Sequence, residues 1–307
     1  MKNVLFATSA IVAFTAGGAA FADAHAAGVS TSAEARLGLV YLDDGDDATD
    51  DLFGTSRIRV KFAGTGTSDN GLTFGFNVRA DNAVGGQGQD GVEFNPDGTA
   101  ADPQSPGVGT DGDVFISGSF GTLTYGDTDT GVENRVGHPD QISLTGLGDR
   151  QEISRGGILN PQIRYDYDFD SFGFSISTQG NLEEIAVGVG GSFAIGANSI
   201  GFGLGYDTTD ETIAAALNAS FGAVTAKVAF STSDDNGDDI SGSLKYVSGP
   251  LSVAGFVSSL EDAGTDSVLS YGLGMGYDMG GGLELKTGIA ANDDDVITAD
   301  LGFLMTF

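Results

Sequence analysis

The stretch SRIRVKFAG, residues 56–64, sorts its side chains by parity. Ile58, Val60 and Phe62 fall on one side of an extended chain, and Arg57, Arg59 and Lys61 on the other. Such a strand needs two different surroundings at once. Turned the wrong way in a bilayer, it would place three cations in hydrocarbon at up to about 2 to 4 kcal/mol each, comparable with the whole stability of a domain. The basic side must therefore meet water wherever the apolar side meets lipid or core.

The same period recurs from residue 33 onward. Alternating segments run over 33–42, 56–64, 71–80, 113–120, 122–127, 162–169, 172–179, 184–193, 199–207, 212–221, 224–233, 239–248, 251–260, 267–279, 283–291 and 296–307. The last, VITADLGFLMTF, sets Ala299, Leu301, Phe303, Met305 and Phe307 against Thr298, Asp300 and Thr306. Sixteen segments is an even number, and transmembrane barrels are built from an even number of strands of about 9 to 11 residues. The links between them are of two kinds. Every second link is short and nearly neutral, such as FG, GA, SGP and GGG; the others hold the great majority of the 43 acids. A soluble sandwich meets the same water at both ends and has no reason for this asymmetry. An all-β, transmembrane antiparallel barrel of about 16 strands has one, with short periplasmic turns and long acidic external loops. Tyr41, Tyr206, Tyr246 and Tyr277 fall toward segment ends, where the aromatic girdles of such barrels lie.

Composition narrows the partners. A formal net charge of -30 with only 13 Lys and Arg argues against nucleic acid, which is bound through basic patches. No Cys is present, so disulfide staples and thiolate metal sites are excluded. The start, MKNVLFATSAIVAFTAGGAAFADAHA, joins a basic residue, an apolar run and an Ala20-Phe21-Ala22 cleavage pattern. We read residues 1–22 as a secretory signal peptide and 23–307 as a single barrel domain. A membrane anchor is the competing reading of the apolar run, but Gly17-Gly18 and the small-residue site fit processing better.

The segments SRIRVKFAGTGTSDNGLTFGFNVRA, FISGSFGTLTYGD and GGILNPQIRYDYD, with the ending YGLGMGYDMGGGLELKTGIAANDDDVITADLGFLMTF, resemble the general-diffusion porins of the Rhodobacter type, from alphaproteobacterial Gram-negative outer membranes. The resemblance covers essentially the whole mature chain. It implies a homotrimer of sixteen-stranded barrels and a third external loop, 127–160, folded inward as a constriction. The acidic loop at 82–112 is long for that pattern, and Arg135, Arg150 and Arg155 interrupt the acids of the third loop.

Parity places Arg36, Arg57, Arg59, Lys61 and Arg79 on one inner wall, and the inward third loop that the resemblance implies would set the constriction-loop acids Asp127, Asp129, Glu133, Asp140, Asp149 and Glu152 across the pore from them. Arg164, Lys227, Lys245 and Lys286 also point inward. The expected function is a water-filled channel for passive diffusion of ions and small hydrophilic solutes, cation-preferring at low salt. The same six loop acids are candidate calcium ligands. Clusters such as Asp43, Asp44, Asp46 and Asp47, or Asp234, Asp235, Asp238 and Asp239, carry the hard oxygen donors by which divalent ions bridge to lipopolysaccharide. No cofactor is expected beyond calcium, and no enzyme chemistry. The glycines of GLGMGYDMGGG alternate with strand residues and precede no helix. Only His25 and His138 could serve a catalytic triad, and His138 stands beside Pro139 in a loop. DDNGDDISGSLK lacks the glycine and closing Glu of a calcium-binding helix–loop–helix. Two alternatives remain: a secreted acidic calcium-binding β-protein, which should show a G-G-x-G-x-D repeat, and a non-channel outer-membrane barrel.

Overall fold

The structure, a computed structural model, describes residues 28–43, 51–82, 110–140, 142–147, 149–156, 162–180, 182–234, 237–261 and 266–307. The segment 1–22 read as a signal peptide, most of the long acidic loop, and Asp44, Asp46, Asp47 and Asp235 lie outside these residues.

Sixteen strands follow one another: β1 (Gly28–Asp43), β2 (Asp51–Thr67), β3 (Thr73–Asn82), β4 (Thr110–Gly118), β5 (Gly121–Gly126), β6 (Gln162–Phe169), β7 (Phe172–Gln179) and β8 (Ile185–Ile195), then β9 (Asn198–Asp207), β10 (Thr212–Phe221), β11 (Val224–Ser233), β12 (Gly237–Ser248), β13 (Leu251–Leu260), β14 (Val268–Gly280), β15 (Leu283–Asn292) and β16 (Ile297–Thr306). Each pairs antiparallel with its neighbours in sequence, and β1 pairs with β16 to close the barrel. Closure removes both sheet edges, which a chain in lipid cannot leave open. At the seam the amides of Ala33 and Phe307 each donate to the other's carbonyl, at 3.1 and 2.8 Å.

β1 and β2 run well past the segments read from sequence. The flanks GVSTS and DLFGT lack apolar alternation, but each is paired along its length by the other strand, from Gly28 opposite Thr65 to Leu42 opposite Asp51. Tight turns set the other ends. Gly280, Gly281 and Gly282 all have positive φ, a conformation that admits glycine without strain.

The two faces separate as the parity predicts. Leu37, Leu39, Leu204, Leu217, Leu273 and Leu301 lie outward and exposed, as a lipid-facing band requires. Tyr206 is outward at the loop end of its strand, and Tyr246 and Tyr277 at the turn end, where Phe307 is also exposed. Every ring–ring contact among the described residues belongs to one outward network at the turn end of β6–β9, linking Tyr165, Tyr167, Phe169, Phe172, Phe174, Phe193 and Phe202. Two apolar clusters lie inside the barrel under the chain between β5 and β6, and a third joins Val40, Leu42 and Val296 with Phe53.

Candidate functional site

The inner wall of β1–β3 is built from register. Arg36 lies opposite Arg57, Glu34 opposite Arg59, and Lys61 opposite Arg79, all on the lumen face. Like charges directly opposite each other destabilise a sheet, so sheet stability does not explain the pattern. Glu34 relieves it locally, accepting from Arg57 at 3.0 Å. Both side chains are partly solvated, so this pair is worth at most about 1 kcal/mol. The five predicted cations thus share one wall.

The third loop begins at Asp127, whose amide bonds the carbonyl of Gly112, and at once forms a short helix, α1 (Gly131–Val136). Thr130 and Glu133 cap it reciprocally: the Glu133 amide donates to Thr130 Oγ1 at 3.0 Å, and the Thr130 amide to Glu133 Oε2 at 2.7 Å. This Thr-x-x-Glu signal is legible in the sequence, but the short apolar run behind it is not. Val132 and Val136 bury against Ala186, Ala214, Ala216 and Ala229. Gly131 N donates to Ser177 Oγ (2.9 Å), and Arg135 donates to Ser175 Oγ (2.7 Å), Asp168 Oδ1 (2.7 Å) and the Phe174 carbonyl (2.9 Å).

Farther on, the loop is held by wall carboxylates that accept from its backbone. Asp300 Oδ2 takes the amide and hydroxyl of Thr145 at 2.7 and 2.8 Å. Asp239 Oδ2 takes the Ser154 amide at 2.6 Å, and Ser258 donates to the carbonyl of the fully buried Arg150. Glycines make the close approach possible. A Cβ on Gly274 would stand 1.4 Å from the Ile142 carbonyl oxygen, one on Gly203 2.1 Å from that of Arg135, and one on Gly302 2.6 Å from Leu144. These contacts run over β6–β16 and β1, so the inner face of β2–β5 is the wall left opposite the loop.

The six loop acids divide. Asp127, Asp129 and Asp149 are exposed. Glu133 pairs with Arg155 at 3.2 Å besides capping α1, and Glu152 accepts from His138 Nε2 at 3.2 Å. Two of the six, Glu133 and Glu152, thus also serve inside the loop. Burial, helped by the nearby positive charges of Arg155 and Lys227, lowers the His138 pKa to about 3. The bond to Glu152 is accordingly made by a neutral imidazole with its proton on Nε2. Burial also lowers the pKa of Arg155, against the opposing pull of Glu133, Glu152 and Asp129.

The arrangement of the candidate calcium ligands can be read from the same contacts. Among the described residues no three His, Asp or Glu side chains come together as a metal-binding group. Glu133 and Glu152 are engaged by other partners. Asp239 is not an external ligand but a buried clamp on the loop, accepting also from the Glu261 amide and Ser231.

A family model described as Gram-negative porin matches residues 7–296. The chain is 28% identical over 330 residues to a porin of Rhodobacter capsulatus and 25% identical over 307 residues to one of Fuscovulum blasticum, covering 91% of this chain and 100% of each relative. Among solved structures, a porin refined at 1.8 Å is 26% identical, with a TM-score of 0.67 and coverage of 91% of this chain and 100% of that one. A triple mutant of Rh. blastica porin matches at a TM-score of 0.65 and 18% identity, with the same coverage, a likeness of fold.

Proposed function

The chain belongs to the Gram-negative porin family, and from that premise we propose that its outer-membrane channel is cation-preferring in dilute salt and works as a homotrimer. Channel and location follow from the family; selectivity and assembly are our reading of this chain. One observation carries the selectivity: the acids crowd the loop end of the barrel, at Asp43, Glu183, Glu184, Asp210, Glu211, Asp234, Asp238, Glu261, Asp266 and Asp293–Asp295, while the cations line the wall within. The two fields oppose each other and differ in reach. Mouth charges act over a Debye length of about 30 Å at 0.01 M salt but only ~8 Å at physiological strength. The acid excess therefore governs entry in dilute electrolyte, and the preference shrinks as salt rises. Reversal potentials under KCl gradients at several mean concentrations test this. An anion preference at the lowest salt, or a cation preference that ignores salt, would overturn it.

The low wall supports assembly. β5 has 6 residues and β6 and β7 have 8 each, fewer than the roughly 9 to 11 that a tilted strand needs to cross the hydrocarbon layer. Covered by a second and third copy, this stretch would not have to meet lipid. Native mass spectrometry in detergent should give three copies; a monomer that conducts normally would refute the assembly. The acidic rim also suits divalent ions shared with lipopolysaccharide phosphates.

A further inference from the structure

The inner wall carries, among the described residues, one aromatic ring that joins none of the buried apolar clusters. Among the described residues only Phe53, Phe115 and Phe256 occupy lumen-facing strand positions; the other strand aromatics point outward. Phe256 is buried with Ile142 under the third loop, and Phe53 packs on Val40, Leu42 and Val296. Phe115 belongs to none of these clusters. It stands between Gly75 on β3 and Thr124 on β5, half-buried, with its ring edge over Gly75, where a Cβ would lie 2.8 Å from Cε1 and Cζ. Glycine there lets the ring lie along the wall, and its intermediate burial leaves part of it open to the lumen.

Polar groups stand beside that ring. Asn77 Nδ2 donates to Asp113 Oδ1 at 2.9 Å, and no other hydrogen bond engages either side chain among the described residues. Asp113 Oδ2, Asn77 Oδ1 and one Asn77 N–H are thus left for a solute. Asp113 precedes Phe115 by one same-face step, about 7 Å along the strand, roughly the width of a sugar ring.

We propose that this stretch of β3–β5 is a weak binding subsite for pyranose-type solutes, with Phe115 taking the C–H face of the ring and the Asn77–Asp113 pair taking its hydroxyls. The chemistry selects the class. An anion would meet the Asp113 carboxylate, whereas a cation would lie close to Lys61 and Arg79 on the same wall. A neutral polyol meets neither penalty, and adjacent hydroxyls satisfy a carboxylate and an amide together. The stacking face needs only C–H groups, and a site of one ring with few polar groups holds solute briefly enough to pass it on.

The subsite rests on the channel reading, and single-channel recording separates the two. Ionic current without sugar tests the channel; its interruption by sugar tests the subsite. Maltotriose should interrupt the wild-type current in a saturable way, and polyethylene glycol of equal hydrodynamic size should only scale it. Phe115→Tyr should keep the interruptions, and Phe115→Ser should weaken apparent affinity about 5-fold or more. Asp113→Ala should weaken it as well. Identical behaviour of maltotriose and the polymer, an unchanged affinity in Phe115→Ser, or interruption by choline in place of maltotriose would each overturn the proposal.

Discussion

His138 shows how one side chain ties loop position to pH. Its pKa is about 3 where the loop is docked and near 6.5 where it is free, because docking strips water from the ring and sets it near Arg155 and Lys227. The undocked state binds more protons between these values. Docking is therefore at full strength above about pH 6.5 and weakens progressively as pH falls toward 3. Proteolysis of the third loop should rise as pH drops from 7 to 4 with a protease active across that range, and His138→Gln should flatten the profile. Gly274 gives a second test at this scale. With the Ile142 carbonyl 1.4 Å from any Cβ, Gly274→Ala cannot be absorbed by a side-chain rotation. Forcing an atom into such a contact costs about 1 to 3 kcal/mol. The variant should keep its strand content by circular dichroism while the loop is cleaved faster and single-channel conductance changes.

At the scale of elements, the strands were legible because lipid and lumen impose a period of two, and tight turns punctuate it. β6, β7, β10, β11 and β13 begin and end where the alternation does. The outer parts of β1 and β2 were not legible: GVSTS becomes strand by pairing with residues 61–65 of β2 and DLFGT by pairing with residues 38–42 of β1, and no property of either segment alone announces that. The candidate site was legible only on its wall, since parity fixes where Arg57, Arg59 and Lys61 point. The loop obeys no period, and its contacts join residues far apart in the chain, as Thr145 does with Asp300. α1 left a trace in Thr130 and Glu133, but six residues make too short a pattern to declare a helix. Thr130→Ala should cost about 0.5 to 2 kcal/mol of local stability by removing the cap. Hydrogen exchange at Asn134 and Arg135 should quicken, while the wall strands stay protected.

Across the whole molecule, the outer face behaves as a second interior whose filling is lipid, and the inner face as a surface that happens to be enclosed. The interior then holds few apolar side chains, and most of the buried ones gather where the loop crosses it. Asp239 and Asp300 replace a hydrophobic core there by gripping loop backbone. Asp239→Ala should leave the Ser154 amide without its acceptor, a loss of about 1 to 3 kcal/mol in a buried setting. Larger fluctuations of open-channel current with unchanged barrel melting would be the result; equal current noise in variant and wild type would show that the clamp is dispensable.

The seam between Ala33 and Phe307 also has a consequence for how the protein is made. The two residues that close the cylinder stand at opposite ends of the paired chain, so the pairing of β1 with β16 has the greatest sequence separation in the sheet. Contacts of that kind form late, after the entropy of a long loop has been surrendered. Until then the growing sheet has two open edges and an oily face with no bilayer to receive it, so the nascent chain needs an escort that shields it from its own kind. Removing Phe307 should slow completion of the cylinder more than it loosens the finished one. Refolding into vesicles, followed against the melting of protein already inserted, would separate the two effects.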